Sequence, residues 1–231
     1  MRPTRTTLIA SVVTAWGGFL AWFAASNTMV RFLGPRTYWV AWFGAAGLLS
    51  AGVVSLIGTR GWQGRRATRG DAAGALVMLV PIVLVLVLPT PQLGAQAASR
   101  KAVGVGALSS FVPLPDPGGE IGLQEIHYAS LSSDYADSLG IVEGLEVELV
   151  GFVTHPGRTT SRHFGLTRFY ISCCAADAIP FTVLVRPAIG ETFPDDTWLK
   201  VEGTLLRAGD GFILDAAEIE QVQDPSSPYL Y

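Results

Sequence analysis

Acidic side chains are almost missing from the first hundred residues. Residues 1–101 hold one, Asp71, against ten Lys and Arg, whereas residues 102–231 hold eighteen acids and six basic residues. The local sums of +9 and −12 are hidden in a formal net charge of −3. The acidic half lacks the clustered Lys and Arg that neutralise phosphates, which argues against a nucleic-acid partner. Residues 8–30, 37–58 and 72–99 contain no charged residue and no His. Ion and proton paths through a bilayer depend on such groups, so these segments do not make a transporter by themselves. A phosphate loop, a G-x-S-x-G elbow and an HExxH helix are also missing, and the expectation is a protein that is not an enzyme. A membrane-anchored thiol enzyme would need a base beside its cysteine, and none is visible.

What the first half does contain is apolar length. A helix needs about 20 apolar residues to cross a hydrocarbon core of about 30 Å. Three segments are long enough, and helices are expected at about 8–30, 37–58 and 72–90, within a membrane anchor of residues 1–92. The third is strongest over residues 75–88; it contains Pro81, a candidate kink, and ends at Pro89 and Pro91. Three such runs in succession are a poor match to buried helices of a soluble protein. The first exceeds the apolar stretch of a signal peptide, about 7–15 residues, and no clear small-x-small cleavage site precedes the Arg31 loop. It is read as a retained helix.

Loop charge predicts the orientation. The second loop carries Arg60, Arg65, Arg66 and Arg69, the N-terminal segment Arg2 and Arg5, and the first loop only Arg31 and Arg36. Basic loops stay in the cytoplasm. Three spans put the N-terminal segment and the second loop on one side, and both are basic. The expected topology is a multi-pass plasma-membrane protein with a cytoplasmic N-terminus and an extracytoplasmic C-terminal domain, although Arg100 and Lys101 run against the rule. Trp39 and Trp62 sit near segment ends, as interfacial anchors do, while Trp16 and Trp22 lie deeper and are expected between helices. Gly17, Gly18, Gly44, Gly47 and Gly52 allow close helix approach, either within the chain or onto a partner.

Residues 93–119 are rich in Pro, Gly, Ala and Ser and read as a tether with little regular structure. Residues 120–139 suit a short helix and a turn. Strand signals follow at residues 145–153, 163–172, 180–186, 198–206 and 211–222, separated by Gly157, Pro187 to Gly190, Pro194 to Asp196, and Gly209 to Gly211. Five short strands in about eighty residues suggest a small barrel, and an OB-like barrel is the natural candidate for residues 120–231. Gly151 and Gly203 fall inside strands, where they permit the sharp bends that barrel corners need. The fold class is thus an α-helical anchor of three transmembrane helices plus a mainly β, OB-like small barrel.

Only two cysteines occur, and they are adjacent: Cys173 and Cys174. Three readings stay open. They can be small buried residues near a strand end, though an oxidising space disfavours unpaired thiols. They can form a strained disulfide between neighbours, because adjacent Cα atoms are about 3.8 Å apart and ordinary bridges need about 4.4 Å or more. They can bind a soft metal, zinc or copper, or a metalloid. For that third reading the candidate ligands are Cys173, Cys174 and Asp177, with His155 and His163 flanking a loop able to fold over the pair. Strand alternation opposes it, since successive side chains point to opposite faces, unless the strand breaks at Ala175 to Ala178. His127 reads as an isolated surface residue.

The string Arg168-Phe-Tyr-Ile-Ser-Cys-Cys-Ala-Ala-Asp-Ala-Ile-Pro180 resembles the signature of a bacterial family, domain of unknown function 1980, whose members are described as permease-complex subunits. Glu143-Gly-Leu-Glu-Val-Glu-Leu-Val-Gly-Phe-Val and Trp198-Leu-Lys-Val-Glu-Gly-Thr-Leu agree, as does the order of helices and then an extracytoplasmic domain. The resemblance implies a multi-helix membrane permease as partner, similar to transporters associated with metals or metalloids. It carries Cys173, Cys174 and Asp177; the two histidines come from the residues alone. The expected function is therefore an accessory permease subunit, lodged in the lipid bilayer, whose outer domain binds a soft metal or metalloid. The alternative is a structural or redox-sensitive subunit without a ligand.

Overall fold

A computed structural model describes residues 4–58, 65–88, 92–101, 119–155, 163–209 and 211–231. Arg2, Arg60, Trp62, Gly157 and most of the expected tether lie outside the described residues, as does the 156–162 loop that was to cover the cysteines. The chain divides into two compact units, Met1–Pro91 and Gln92–Tyr231.

The first unit is three helices, α1 (Arg5–Ala25), α2 (Tyr38–Gly58) and α3 (Arg69–Val87), each long and apolar enough to cross a membrane. Local chemistry starts two of them. The Thr4 hydroxyl caps α1 by accepting from the Thr7 N–H at 3.2 Å. Thr68 and Asp71 form a reciprocal capping box at α3, the Asp71 carboxylate accepting the Thr68 N–H at 2.9 Å. The starts of α1 and α3 lie side by side: Thr4 bridges Arg66, and the Arg5 N–H donates to the Arg65 carbonyl. Asp71, the single acid of this half, ion-pairs there with Arg5 and Arg65 at 3.4 and 3.5 Å. The two helices therefore begin on one face of the bundle, as three antiparallel spans require. Pro81 does not end α3, which runs on to Val87.

Helices α1 and α2 make the main contact, and two of the glycines are used in it. A Cβ on Gly17 would lie 2.7 Å from the Leu49 backbone nitrogen, and one on Gly52 would lie 2.3 Å from the Thr14 hydroxyl. Gly18 and Gly47 face open space. Trp16 reaches across to α3, its Nε1–H donating to the Met78 carbonyl at 3.1 Å. Trp22 does not pack between helices as expected; it is 46% exposed.

The second unit is a closed barrel. Its strands are β1 (Glu146–Thr154), β2 (Phe164–Tyr170), β3 (Ile179–Arg186), β4 (Trp198–Ala208) and β5 (Gly211–Gln221). They pair in the order β1-β4-β5-β3-β2, and β2 returns to β1 to close the wall. All contacts are antiparallel except β3 with β5, which is parallel. A two-residue strand, β6 (Tyr229–Leu230), adds in parallel to β2. This is the OB-like barrel expected. Alternation fills it: Leu149, Val153, Leu166, Val185, Leu199, Val201, Leu205 and Leu214 point inward and are buried. Helices α5 (Leu123–Ala129) and α6 (Ser133–Leu139) cover that core with Leu123, Ile126, Ala129 and Ala136. Gly140 ends α6 in the left-handed conformation, φ 67°, that glycine adopts without strain.

The expected tether is not all irregular. Residues Ala95–Lys101 form α4, which lies against the outer wall of the barrel. Its buried Ala98, with Leu93 and Ala97, packs on Phe152, Phe169, Ile171 and Tyr229. Composition hid it because small residues are read as flexible, yet alanine is the best helix former and lets backbones approach closely. Asp196 sets its start. This residue sits at φ 66°, and its carboxylate accepts the Ala95 N–H at 2.5 Å. Replacing Asp196 by Ala removes the acceptor and places a less tolerant residue in the left-handed region, so the barrel should lose about 1–2 kcal/mol. Amide exchange of residues 93–101 should quicken; unchanged exchange would contradict the cap.

Candidate metal centre

Strand β2 stops at Tyr170, and β3 begins at Ile179, its register partner. The eight residues between form a tight connection that carries both cysteines. Asp177 organises it from the inside. Its Oδ1 accepts the Ser172 N–H at 3.2 Å, and its Oδ2 accepts the N–H groups of Cys173 at 2.7 Å and Cys174 at 3.4 Å. The Asp177 N–H returns a bond to the Cys174 carbonyl at 3.0 Å, closing a single 3-10 turn over Ala175–Asp177. Lys101, at the end of α4, donates to the Ala176 carbonyl at 2.8 Å.

This arrangement removes the alternation objection. The cysteines stand past the end of the strand, and their sulfurs lie 3.7 Å apart. A disulfide is about 2.05 Å long, so no bond joins the two sulfurs in this structure. Cys173 is exposed and Cys174 half-buried, and neither belongs to the core. The ligand atoms of Cys173, Cys174 and Asp177 all lie within 4.8 Å of one another. Hydrogen bonding to the Asp177 carboxylate, helped by the Cys174 sulfur, by some desolvation and by the like charge, pushes the Cys173 thiol up to about 12. The carboxylate thus favours the protonated sulfur.

The donor chemistry fits a soft or borderline ion, since two thiols are paired on an open turn. Asp177 fits less well as a ligand. A carboxylate offers about four lone-pair sites, and three backbone N–H groups and the Cys173 thiol already address them.

The two candidate histidines are elsewhere. His163 immediately precedes β2, while the cysteines follow its other end; seven residues of strand separate them by roughly 23 Å. His155 is at the His163 end too, because β1 pairs with β2 through Thr154 and Gly165. Its Nδ1 contacts Asp195 Oδ1 at 2.8 Å. Neither histidine can share an ion with the pair. Nearness in sequence to a loop was a poor guide, because an antiparallel hairpin carries that loop to the far end of the strand. His127 also needs correction. It is partly buried under β3, its ring 5.1 Å from that of Phe181, and burial lowers its pKa below 6.5.

Sequence reasoning missed the part of Lys101, whose signal was the Arg100–Lys101 pair after the third apolar segment. It also missed two phenols, Tyr128 and Tyr135, whose hydroxyls are buried with no hydrogen-bond partner among the described residues.

Fold and site together define a class: three helices long and apolar enough to span a membrane, followed by a small closed barrel that presents a paired-thiol turn. The C-terminal domain of the DUF1980 family matches residues 115–231, and the chain belongs to that family. The matched span includes the whole barrel and the Cys-Cys turn. No curated protein matches the chain.

Proposed function

We propose that this protein is a non-enzymatic accessory subunit of a membrane permease complex, and that its barrel captures a soft metal or metalloid at Cys173 and Cys174. One observation carries the reading: two thiols 3.7 Å apart on an exposed turn, with the backbone of both pinned by one carboxylate. A structural core has no use for such an arrangement. The three helices support the anchoring role. They lack ionisable groups along their apolar lengths, so passage of an ion through the bilayer falls to the partner.

The full chain, reduced and purified in detergent without oxygen, should bind one equivalent of zinc, copper(I) or arsenite. The Cys173→Ala/Cys174→Ala variant should bind none at that site. Equal binding by the two proteins would sink the capture reading and leave the ligand-free structural subunit in its place.

The barrel faces the extracytoplasmic side in this reading, on the strength of the basic residues beside α1 and α3. A reporter thiol at exposed Ser226, placed in the double-alanine background, should react with an impermeant maleimide on intact cells. Reaction only after lysis would reverse the orientation.

A further inference from the structure

We infer that the Cys173–Cys174 turn takes a tetrahedral divalent ion of the zinc class: the two cysteines ligate, Asp177 positions them, and no other described residue fills the two remaining places. The inference rests on the reading of the pair as a metal site and adds the ion class and the coordination number.

The sulfur separation selects the angle. With metal–sulfur bonds of about 2.3 Å, two sulfurs 3.7 Å apart subtend about 107° at the metal, close to the tetrahedral value. A linear two-sulfur ion such as copper(I) would need them roughly 4.6 Å apart at the same bond length. The backbone of both cysteines is pinned by the Asp177 carboxylate, so the sulfurs can spread only by changing rotamer.

The count of ligands comes from what surrounds them. Among the described residues, only Asp177 joins the two cysteines in a group that can hold a metal. Its oxygens are committed to the N–H groups of Ser172, Cys173 and Cys174. His155 and His163 lie at the other end of β2. Structural zinc sites close all four positions with protein ligands, and open sites exchange theirs. A two-sulfur site on an exposed turn is therefore an exchange site, completed by water or by ligands of the partner that receives the ion. Binding breaks two S–H bonds and forms two metal–sulfur bonds. Both protons leave to solvent, and no electron is transferred.

Cobalt(II) reports this geometry as a stand-in for zinc. Added to the reduced full chain in detergent, it should give tetrahedral visible bands and a charge-transfer band of two-thiolate strength, both removed by one equivalent of zinc. In Asp177→Asn both bands should persist at saturation, because the two sulfurs remain the ligands. If Asp177→Asn folds but gives only weak octahedral bands at saturation, Asp177 is a ligand and the inference is overturned. If copper(I) or arsenite binds at the pair while cobalt and zinc give no thiolate band, the ion class is wrong and the capture reading survives. If no ion binds beyond the double-alanine level, the capture reading itself fails.

Discussion

Gly203→Val should destabilise the barrel by on the order of 3–4 kcal/mol, a large part of the roughly 5–15 kcal/mol that holds a domain folded. A Cβ at position 203 would lie 2.2 Å from the Asp215 carbonyl oxygen, 2.9 Å from its carbon and 3.0 Å from the Ala216 Cα. These are backbone atoms of the neighbouring strand, so no side chain can swing aside. The pairing of β4 with β5 also shifts register between Glu202 and Gly203, which brings the two backbones together there. Relief requires opening that pairing, beside buried Val201 and Leu205. Denaturant unfolding of the C-terminal unit within the full chain measures the effect. Glu202→Val is the control: it puts the same β-branched residue one place earlier, on the outer face. Its Lys200 ion pair is a surface contact and contributes little. Equal midpoints for the two variants would refute the close-approach explanation.

The second large effect is on reactivity. In a Cys174→Ala background, Cys173 of the otherwise native chain should alkylate slowly at pH 8, because the hydrogen bond to the Asp177 carboxylate, the largest cause of its raised pKa, remains. The thiolate is the reactive form, so the rate should climb only as pH rises well above the ordinary thiol range. Asp177→Ala removes the hydrogen bond and the charge together. The onset should fall toward the ordinary value of 9.0, and the rate at pH 8 should rise by on the order of tenfold or more. Asp177→Asn keeps one acceptor oxygen without the charge and should fall between. A pH profile that Asp177→Ala leaves unmoved would show that the carboxylate does not govern the thiol. The same carboxylate should make the proposed capture pH-dependent, since an ion would displace protons that it helps to retain.

The membrane helices were the most legible part of the chain. Their signal is a run of apolar residues without charge, and it depends on no distant contact. The expected ends differ from α1, α2 and α3 by at most a few residues, and the 3-10 turn at Asn27–Arg31 absorbs the overrun of the first. Three of the five barrel strands were placed within a residue at each end, because alternation records which face is buried; β4 runs two residues further than expected and β2 stops two residues sooner. The α4 helix was not legible. Alanine and glycine next to prolines look like a tether until Phe152 and Phe169 supply a wall for Ala98 to bury against. The two-residue β6 carries too little pattern to be read at all.

The adjacency of Cys173 and Cys174, the three charge-free helices and the strand periodicity were determined by the sequence itself, because each is a property of neighbouring residues. What the pair can do was decided only by tertiary structure. Strand alternation alone would have split the two sulfurs between opposite faces. They converge because β2 ends at Tyr170 and Asp177 gathers three backbone N–H groups. The histidines are removed from the site because β1 and β2 run antiparallel. Both outcomes depend on where a strand stops and which residue faces it across the sheet, and register of that kind is set by the closing of the barrel.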